Sequence, residues 1–279
     1  CGLIGGSMAL SWKRAGIVDE VIAFGHNPAT LQKALDKGAA DTVTTSMEEA
    51  VKDADIVVSA VPVEAMESVF TEMAPFLKSD AVVTDVGSTR QTVIAAARKG
   101  LGDKFHQYAP AHPIAGGEMP GVDYASADLF DEKVVISTPD EGMDPKVVTF
   151  IEEAWRKAGA RVQAMSPLQH DLTFASVSHL PHVLAYALVD MIAREENAQE
   201  KLKMAGAGFR DFTRIASSSP VMWRDICLSN REALSHELKR YRASLDTLQK
   251  YIDESDGKAL ESVFENAVRN RRGLVFPGK

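Results

Sequence analysis

The sequence predicts the α/β fold class, a parallel sheet with interleaved helices followed by a half that is helical throughout. Three observations carry this prediction. Short runs of β-branched and apolar residues alternate with helix-forming stretches up to about residue 165. A glycine-rich turn opens that alternation. From Ser166-Pro167 onward the strand signal all but ends, and amphipathic helices follow one another to about Asn270. Alternation of this kind favours a parallel sheet, because each crossover between parallel strands needs a connection long enough to hold a helix. The change of pattern near 163–167 divides the chain into residues 1–165 and 166–279.

The first element is the stretch Cys1-Gly2-Leu3-Ile4-Gly5-Gly6-Ser7, running into a helix through Arg14 that stops at Gly16. In the G-x-G-x-x-G pattern of Rossmann-type dinucleotide sites, Gly2 and Gly5 take the second and third glycine positions. The first glycine and its strand are then expected upstream of Cys1. The pattern has a physical purpose: backbone meets pyrophosphate at one glycine, helix packs on strand at another, and a helix N-terminus faces the phosphates. Gly2, Leu3, Ile4 and Gly5 are therefore candidate cofactor contacts. Val21-Ile22-Ala23-Phe24 reads as the next strand, ending at Gly25-His26-Asn27-Pro28. An acid at this tip would bind a ribose 2′-hydroxyl and repel a 2′-phosphate. None is present, and His26 and Asn27 are available as donors, so NADP is favoured with NAD possible. Asn27 also suits the cap of a helix opened by Pro28.

Ser46-Met47-Glu48-Glu49 reads as a capping box. Asp55 to Val61 and Ala81 to Val86 read as buried strands. The first ends at Val61-Pro62 and the second at Gly87-Ser88. Strand ends of a parallel sheet face the ligand crevice, which makes Val61, Pro62 and Ser88 candidates for the nicotinamide end of the site. Ser88 equally suits a cap for the helix that runs to about Lys99. Further strands are predicted at Lys133 to Ser137 and Arg161 to Met165, around a helix from Pro145 to Ala158, and Gly273 to Lys279 is expected to fray.

Between these strands lies His112-Pro113-Ile114-Ala115-Gly116-Gly117-Glu118. A histidine at a strand end, with proline fixing the backbone behind it and two glycines allowing close approach, can take up a proton near neutral pH. In the helical half, Ser178-His179-Leu180-Pro181-His182 sets a proline inside a helix, which frees a carbonyl and kinks the chain. Arg210 and Arg214 lie four apart, with Asp211 between them, and Met222-Trp223-Arg224-Asp225 follows. Surface ion pairing with Asp211 or Asp225 is the alternative use of each arginine.

Composition limits the function. With 279 residues, 45% hydrophobic and 25% charged, the chain has the make-up of a soluble globular protein. Its net charge of −8 speaks against nucleic acid or an anionic membrane as partner. Between Lys201 and Arg242, however, nine Lys/Arg stand against four Asp/Glu. Solvated helix faces would explain this, and so would a site for an anionic small molecule. Cys1 and Cys227 offer neither a disulfide framework nor a metal spacing, which fits a reducing cytoplasm. No apolar run approaching the ~18–20 residues of a membrane span is expected, and the visible start has no signal-peptide pattern.

Six motifs in order closely resemble the prephenate/arogenate (cyclohexadienyl) dehydrogenase family of tyrosine biosynthesis. They are G-L-I-G-G-S from Gly2, D-V-G-S at Asp85 to Ser88, H-P-I-A-G-G-E at His112 to Glu118, S-H-L-P-H at Ser178 to His182, G-F-R-D-F-T-R-I-A at Gly208 to Ala216, and M-W-R-D-I at Met222 to Ile226. The resemblance covers nearly the whole chain. It implies a Rossmann-type N-terminal domain and a helical domain that builds a homodimer. It also implies NAD(P)-dependent oxidative decarboxylation of prephenate to 4-hydroxyphenylpyruvate, with arogenate as alternative or additional substrate. By resemblance His112 is the catalytic histidine at the substrate's 4-hydroxyl, and Ser88 positions that histidine and the nicotinamide. His182 contacts substrate and Arg214 holds a carboxylate. His179, Arg210, Asp211 and Trp223 belong to the same substrate-side motifs. His182 inclines the reading to prephenate. The departures are at Cys1, where the fingerprint is cut short, and at Gly117, where some relatives carry Thr. Other readings are a different hydroxyacid dehydrogenase, which would want a lysine base in place of His112, and a silent NAD(P)-binding module, which would be expected to have lost His112. No metal is called for.

Overall fold

The computed structural model describes residues 1–117 and 119–274. Glu118, which closes the His112 motif, lies outside the described residues, as do residues 275–279, most of the stretch expected to fray.

The opening glycines lead into helix α1 (Leu3–Arg14), which ends before Gly16, a residue with φ of +60°. Strands β1 (Ile22–Phe24) and β2 (Thr42–Thr44) pair in parallel across α2 (Pro28–Asp36). Asn27 caps α2, its side-chain oxygen accepting from the backbone N–H of Ala29 and Thr30. Helix α3 (Met47–Val51) is capped by Ser46, which accepts from Glu49 N. The expected capping box is only half formed, because Glu49 turns away to accept from Thr44 Oγ1, while Thr44 Oγ1 accepts from Ser46 N.

Strands β3 (Ile56–Ser59), β4 (Val82–Asp85) and β5 (Tyr108–Ala109) form a parallel ladder. Helices α4 (Met66–Met73) and α5 (Gln91–Leu101) cover one of its faces. They approach closely because Gly100 has no side chain: a Cβ there would lie 2.6 Å from the Phe70 Cβ. Met66, Phe70, Met73, Val83, Ile94 and Tyr108 fill this core. A second core forms where α1 and α6 (Pro145–Lys157) meet, with Trp12 and Trp155 packed edge to face at 5.7 Å. Edge-to-face geometry suits the ring quadrupoles and adds about 0.5–1.5 kcal/mol beyond area burial.

β6 (Ala111–Pro113) continues directly from β5 but pairs antiparallel with β7 (Val134–Ser137), which in turn pairs parallel with β8 (Arg161–Ala164). The reversal follows from the connection, since among the described residues no α-helix separates β6 from β7 to carry a parallel crossover.

The helical half begins with α7 (Pro167–Phe174), capped by Ser166. A π-helical segment, Ala175–His179, joins it to α8 (Leu180–Ala193). The disruption expected from Pro181 is absorbed in this π turn, a common way to accommodate a residue that cannot donate in the helix ladder. Pro167–Ala193 therefore forms one helical run of 27 residues, long and apolar enough to cross a membrane by length and composition, with only 28% of its most apolar window buried within the chain. This corrects the expectation that no apolar run approaches that length, because the π turn keeps the helix going through Pro181. Helices α9 (Ala198–Lys203), α10 (Ala207–Thr213), α11 (Pro220–Ser229), α12 (Arg231–Asp253) and α13 (Gly257–Arg272) complete the described residues.

Candidate active site

The C-terminal ends of β3, β4 and β5 bring three loops together. Register pairs Ser59 with Asp85 and Thr84 with Ala109. Val61-Pro62, Gly87-Ser88 and His112 therefore emerge at the same edge of the sheet.

The N-terminus of α1 lies at this edge and could take an anion. Gly2 is its N-cap, no side chain caps it, and its first turn carries no acid. The first N–H groups of a helix have no intrahelical partner and attract phosphate. A Cβ on Gly2 would meet nothing within 4 Å, so the backbone there is open to a ligand. A Cβ on Gly5 would lie 2.9 Å from the Ala60 Cβ, the close helix–strand contact that the third fingerprint glycine permits. The residues present thus fit a dinucleotide pyrophosphate. Leu3 lies beside the His112 loop, since a Cβ on Gly117 would stand 3.2 Å from its Cδ2. His26 is exposed at the β1 tip with its ring edge-on to Phe24, and the side-chain oxygen of Asn27 is committed to capping α2.

Behind the β4 loop lies a sealed polar cluster. Asp85 and Arg90 are both fully buried and paired at 2.6 Å. Asp85 also accepts from Gly87 N and from the Tyr108 hydroxyl, and Arg90 donates to the carbonyl of Ala111. A buried ion pair needs its remaining hydrogen-bonding capacity met to offset desolvation, and these bonds meet it. They also tie the β4 loop to the backbone just before His112. Ser88, half-buried, does not cap α5. The first amides of that helix, Arg90 N and Gln91 N, donate instead to Asp171 Oδ1 and Oδ2 at 2.8 and 2.9 Å. The capping role considered for Ser88 thus belongs to a carboxylate from α7.

His112 is half-buried, and its Nδ1 shares a hydrogen bond of 2.7 Å with His170 Nε2. His170, fully buried, has its Nδ1 2.9 Å from Asp171 Oδ1. Phe174 stacks on the His170 ring at 4.4 Å and lies against His112 at 5.1 Å. Burial, followed by the neighbouring His170, Arg90 and His179, pushes His112 well below the ordinary histidine pKa. Burial also lowers His170, against the hydrogen bond with Asp171 that favours its charged form. For Asp171 burial acts to raise the pKa, but hydrogen bonds from His170, Arg90 N and Gln91 N outweigh it and hold the carboxyl below its usual range.

On the helical side, the His182 ring stacks on Trp223 at 3.6 Å and 20°, and its Nδ1 donates to the Ser178 carbonyl at 2.9 Å. Burial lowers its pKa, as does the positive charge of nearby Arg214. Arg214 itself is exposed at the start of the 3₁₀ turn after α10. His179 is 1% exposed and its Nδ1 accepts from Asn230 Nδ2 at 3.1 Å. Trp223 is buried beneath His182. Both were expected among the substrate contacts; instead His179 is sealed against Asn230 and Trp223, and Trp223 lies under the His182 ring. Arg210 and Asp211 stand exposed on α10, 3.7 Å from each other.

The residues that sequence reasoning missed are His170, Asp171, Asn230 and the Asp85–Arg90 pair. A signal existed for two of them. Ser166-Pro167 marks a helix start, and His170-Asp171 lies one turn inside it, with Phe174 four residues further on the same face. Nothing local marks Asn230 or Arg90.

Family comparison agrees with this layout. Residues 8–164 match the model of the prephenate dehydrogenase nucleotide-binding domain, and residues 166–266 that of the prephenate dehydrogenase dimerization domain. The chain is 36% identical to a cyclohexadienyl dehydrogenase of Zymomonas mobilis, over 98% of its own length and 93% of the relative's. It is 34% identical to a prephenate dehydrogenase of Bacillus subtilis, over 100% and 75%. Among solved structures, a prephenate dehydrogenase of Aquifex aeolicus in complex with hydroxyphenyl propionate and NAD+ superposes with a TM-score of 0.89 at 35% identity, covering 97% of this chain and 95% of that one.

Proposed function

The chain belongs to the prephenate dehydrogenase family, and from that premise we propose that it oxidatively decarboxylates prephenate, with His112 as the base and NADP+ as the preferred cofactor. The observation that carries the reading is the position of His112. It stands at the ligand edge of the parallel sheet, beside the Ser88 loop and the open N-terminus of α1, with its Nδ1 committed to a buried partner.

A dinucleotide bound at the α1 N-terminus supplies the hydride acceptor. Every other role falls to side chains. His112 Nε2 takes the proton of the substrate's 4-hydroxyl as that carbon becomes carbonyl-like. Loss of CO2 then makes the ring aromatic, which supplies most of the driving force. A positioned base contributes about 10²–10⁴ in rate. The depressed pKa of His112 keeps its ring neutral and able to accept at neutral pH. The Arg214 guanidinium, beside His182, holds a carboxylate through its bidentate fork. Ser88, at the end of β4, positions His112 and the nicotinamide, with Val61 and Pro62 lining the same edge. Arg210 and Asp211, exposed on α10, belong to the substrate side through the motif they share with Arg214. The preference for NADP+ rests on the β1 tip, where Gly25-His26-Asn27 brings no carboxylate to repel a 2′-phosphate. Two copies pair through the helical half, where Leu168, Leu172, Val177 and Met191 leave an apolar face of the long helix uncovered. The free thiols of Cys1 and Cys227 fit a reducing cytoplasm.

The test is steady-state kinetics with prephenate and arogenate crossed against NADP+ and NAD+, on the unmodified protein and on His112→Asn. The variant is expected to lose roughly 10²–10⁴ in kcat with cofactor affinity nearly intact. Retention of more than about a tenth of the turnover removes His112 as the base, since even the low end of that range is a hundredfold.

A further inference from the structure

His112 is the first of three groups in line. Its Nδ1 meets His170 Nε2 at 2.7 Å, and His170 Nδ1 meets Asp171 Oδ1 at 2.9 Å. The last two are 0% and 1% exposed, so water does not complete their bonding. Building on the reading of His112 as the base, we propose that Asp171 and His170 are positioning residues that set its tautomer, leaving the Nε2 lone pair toward the substrate.

An ionised carboxylate only accepts hydrogen bonds. Asp171 already accepts from Arg90 N and Gln91 N, so it faces His170 as an acceptor too and places that ring's proton on Nδ1. A neutral His170 then presents a lone pair at Nε2. His112 must donate into it from Nδ1, because the alternative sets two lone pairs against each other at 2.7 Å. An unconstrained imidazole favours the opposite tautomer, with hydrogen on Nε2, and in that form the nitrogen facing the substrate accepts nothing. When His112 Nε2 takes the hydroxyl proton, one O–H bond breaks and one N–H bond forms, and the Nδ1–H bond to His170 persists throughout.

The surroundings hold the line rigid. Asp171 caps α5, and its own carbonyl accepts from Asn230 Nδ2 at 2.8 Å. Phe174 fixes the plane of the His170 ring from its face. Three parts of the chain, α5, α7 and the junction of α11 and α12, thus converge on one residue, Asp171.

Asp171→Asn tests the idea. With its carbonyl in the Oδ2 place the new side chain keeps the bond from Gln91 N, and its NH2 takes the Oδ1 place facing His170 Nδ1, at the loss of the bond from Arg90 N. The proton moves to His170 Nε2, His112 Nδ1 becomes the acceptor, and hydrogen occupies Nε2. We expect kcat to fall by about 10²–10⁴, as for loss of the base, with cofactor affinity close to that of the unmodified protein. His170→Gln separates tautomer control from folding, because its carbonyl can accept from His112 Nδ1. It should keep far more activity than His170→Leu, which cannot accept. The direct readout is the ¹⁵N NMR signature of the seven histidines without substrate, with His112 assigned through His112→Asn. The expected result is an Nδ1–H tautomer for His112 in the unmodified protein and Nε2–H in Asp171→Asn. An Nε2–H tautomer in the unmodified protein overturns the proposal, as does a folded Asp171→Asn with unchanged kcat. Because the tautomer is read without turnover, its failure is distinct from failure of His112 as the base, which the kinetics of His112→Asn decide.

Discussion

Acidification should destabilise this protein through one buried side chain in particular. His179 is sealed in the π segment, and burial, its largest influence, lowers its pKa from 6.5 to about 4. Below pH 6.5 the unfolded chain binds a proton that the native ring refuses. Stability from this group is therefore complete above that pH and is lost as pH falls toward about 4, where the native ring protonates as well and the loss levels off. The interval corresponds to about 3 kcal/mol at ~1.4 kcal/mol per pH unit. That is a large share of the ~5–15 kcal/mol by which domains are usually stable. The perturbation that isolates it is His179→Asn, whose side-chain oxygen replaces Nδ1 as acceptor for Asn230 but does not titrate. The assay is urea unfolding at fixed protein concentration between pH 7 and pH 4.5, since association makes apparent stability concentration-dependent. The variant starts less stable, because the ring's packing against Trp223 is lost. Its decline with acid should nevertheless be shallower, the two curves converging by up to about 3 kcal/mol. His112 and His170 are lowered mainly by burial in both proteins, so most of their contribution cancels, and only the part that His179 adds to His112 goes with it. Parallel curves would refute the reasoning, showing that His179 titrates alike in both states.

Three further outcomes are expected. Arg214→Ala should raise the KM for prephenate far more than that for cofactor. The loss is about thirty-fold to several-thousand-fold in kcat/KM, from the ~2–5 kcal/mol of leaving a desolvated carboxylate unpaired; Arg214→Lys should recover only part, and a normal KM with a lowered Tm would instead make Arg214 structural. His26→Asp should turn the cofactor preference from NADP+ to NAD+ by placing charge against the 2′-phosphate, and equal or better efficiency with NAD+ in the unmodified protein refutes that preference. Gly5→Ala sets a methyl 2.9 Å from the Ala60 Cβ, so α1 must shift; a cost of about 1–3 kcal/mol and a raised cofactor KM are expected, and a cofactor KM unchanged in the folded variant would show that α1 does not hold the pyrophosphate.

The amino-acid sequence by itself determined the elements and their order. Val82 to Asp85 is a strand because β-branched residues buried on both faces suit no other local state, and Asn27-Pro28 starts a helix through a side-chain cap and a preset φ. It also brought the candidate groups to one edge, because a parallel sheet sends its strand ends there; the positions of His112, Ser88 and the α1 N-terminus were legible for that reason. What only the tertiary structure decided are the partnerships across long separations. Asp171 lies 81 residues from Arg90 in the chain and caps its helix, and His170 meets His112 across 58 residues. Ser88 looked like the cap because local pattern offers only nearby candidates for an orphaned N–H. Periodicity reports which face of a helix is buried, whereas the identity of the group it meets depends on how separate elements pack. The tautomer of a histidine, the sealing of His179 and the half-made capping box at Ser46 all follow from that packing, and no residue spacing encodes them.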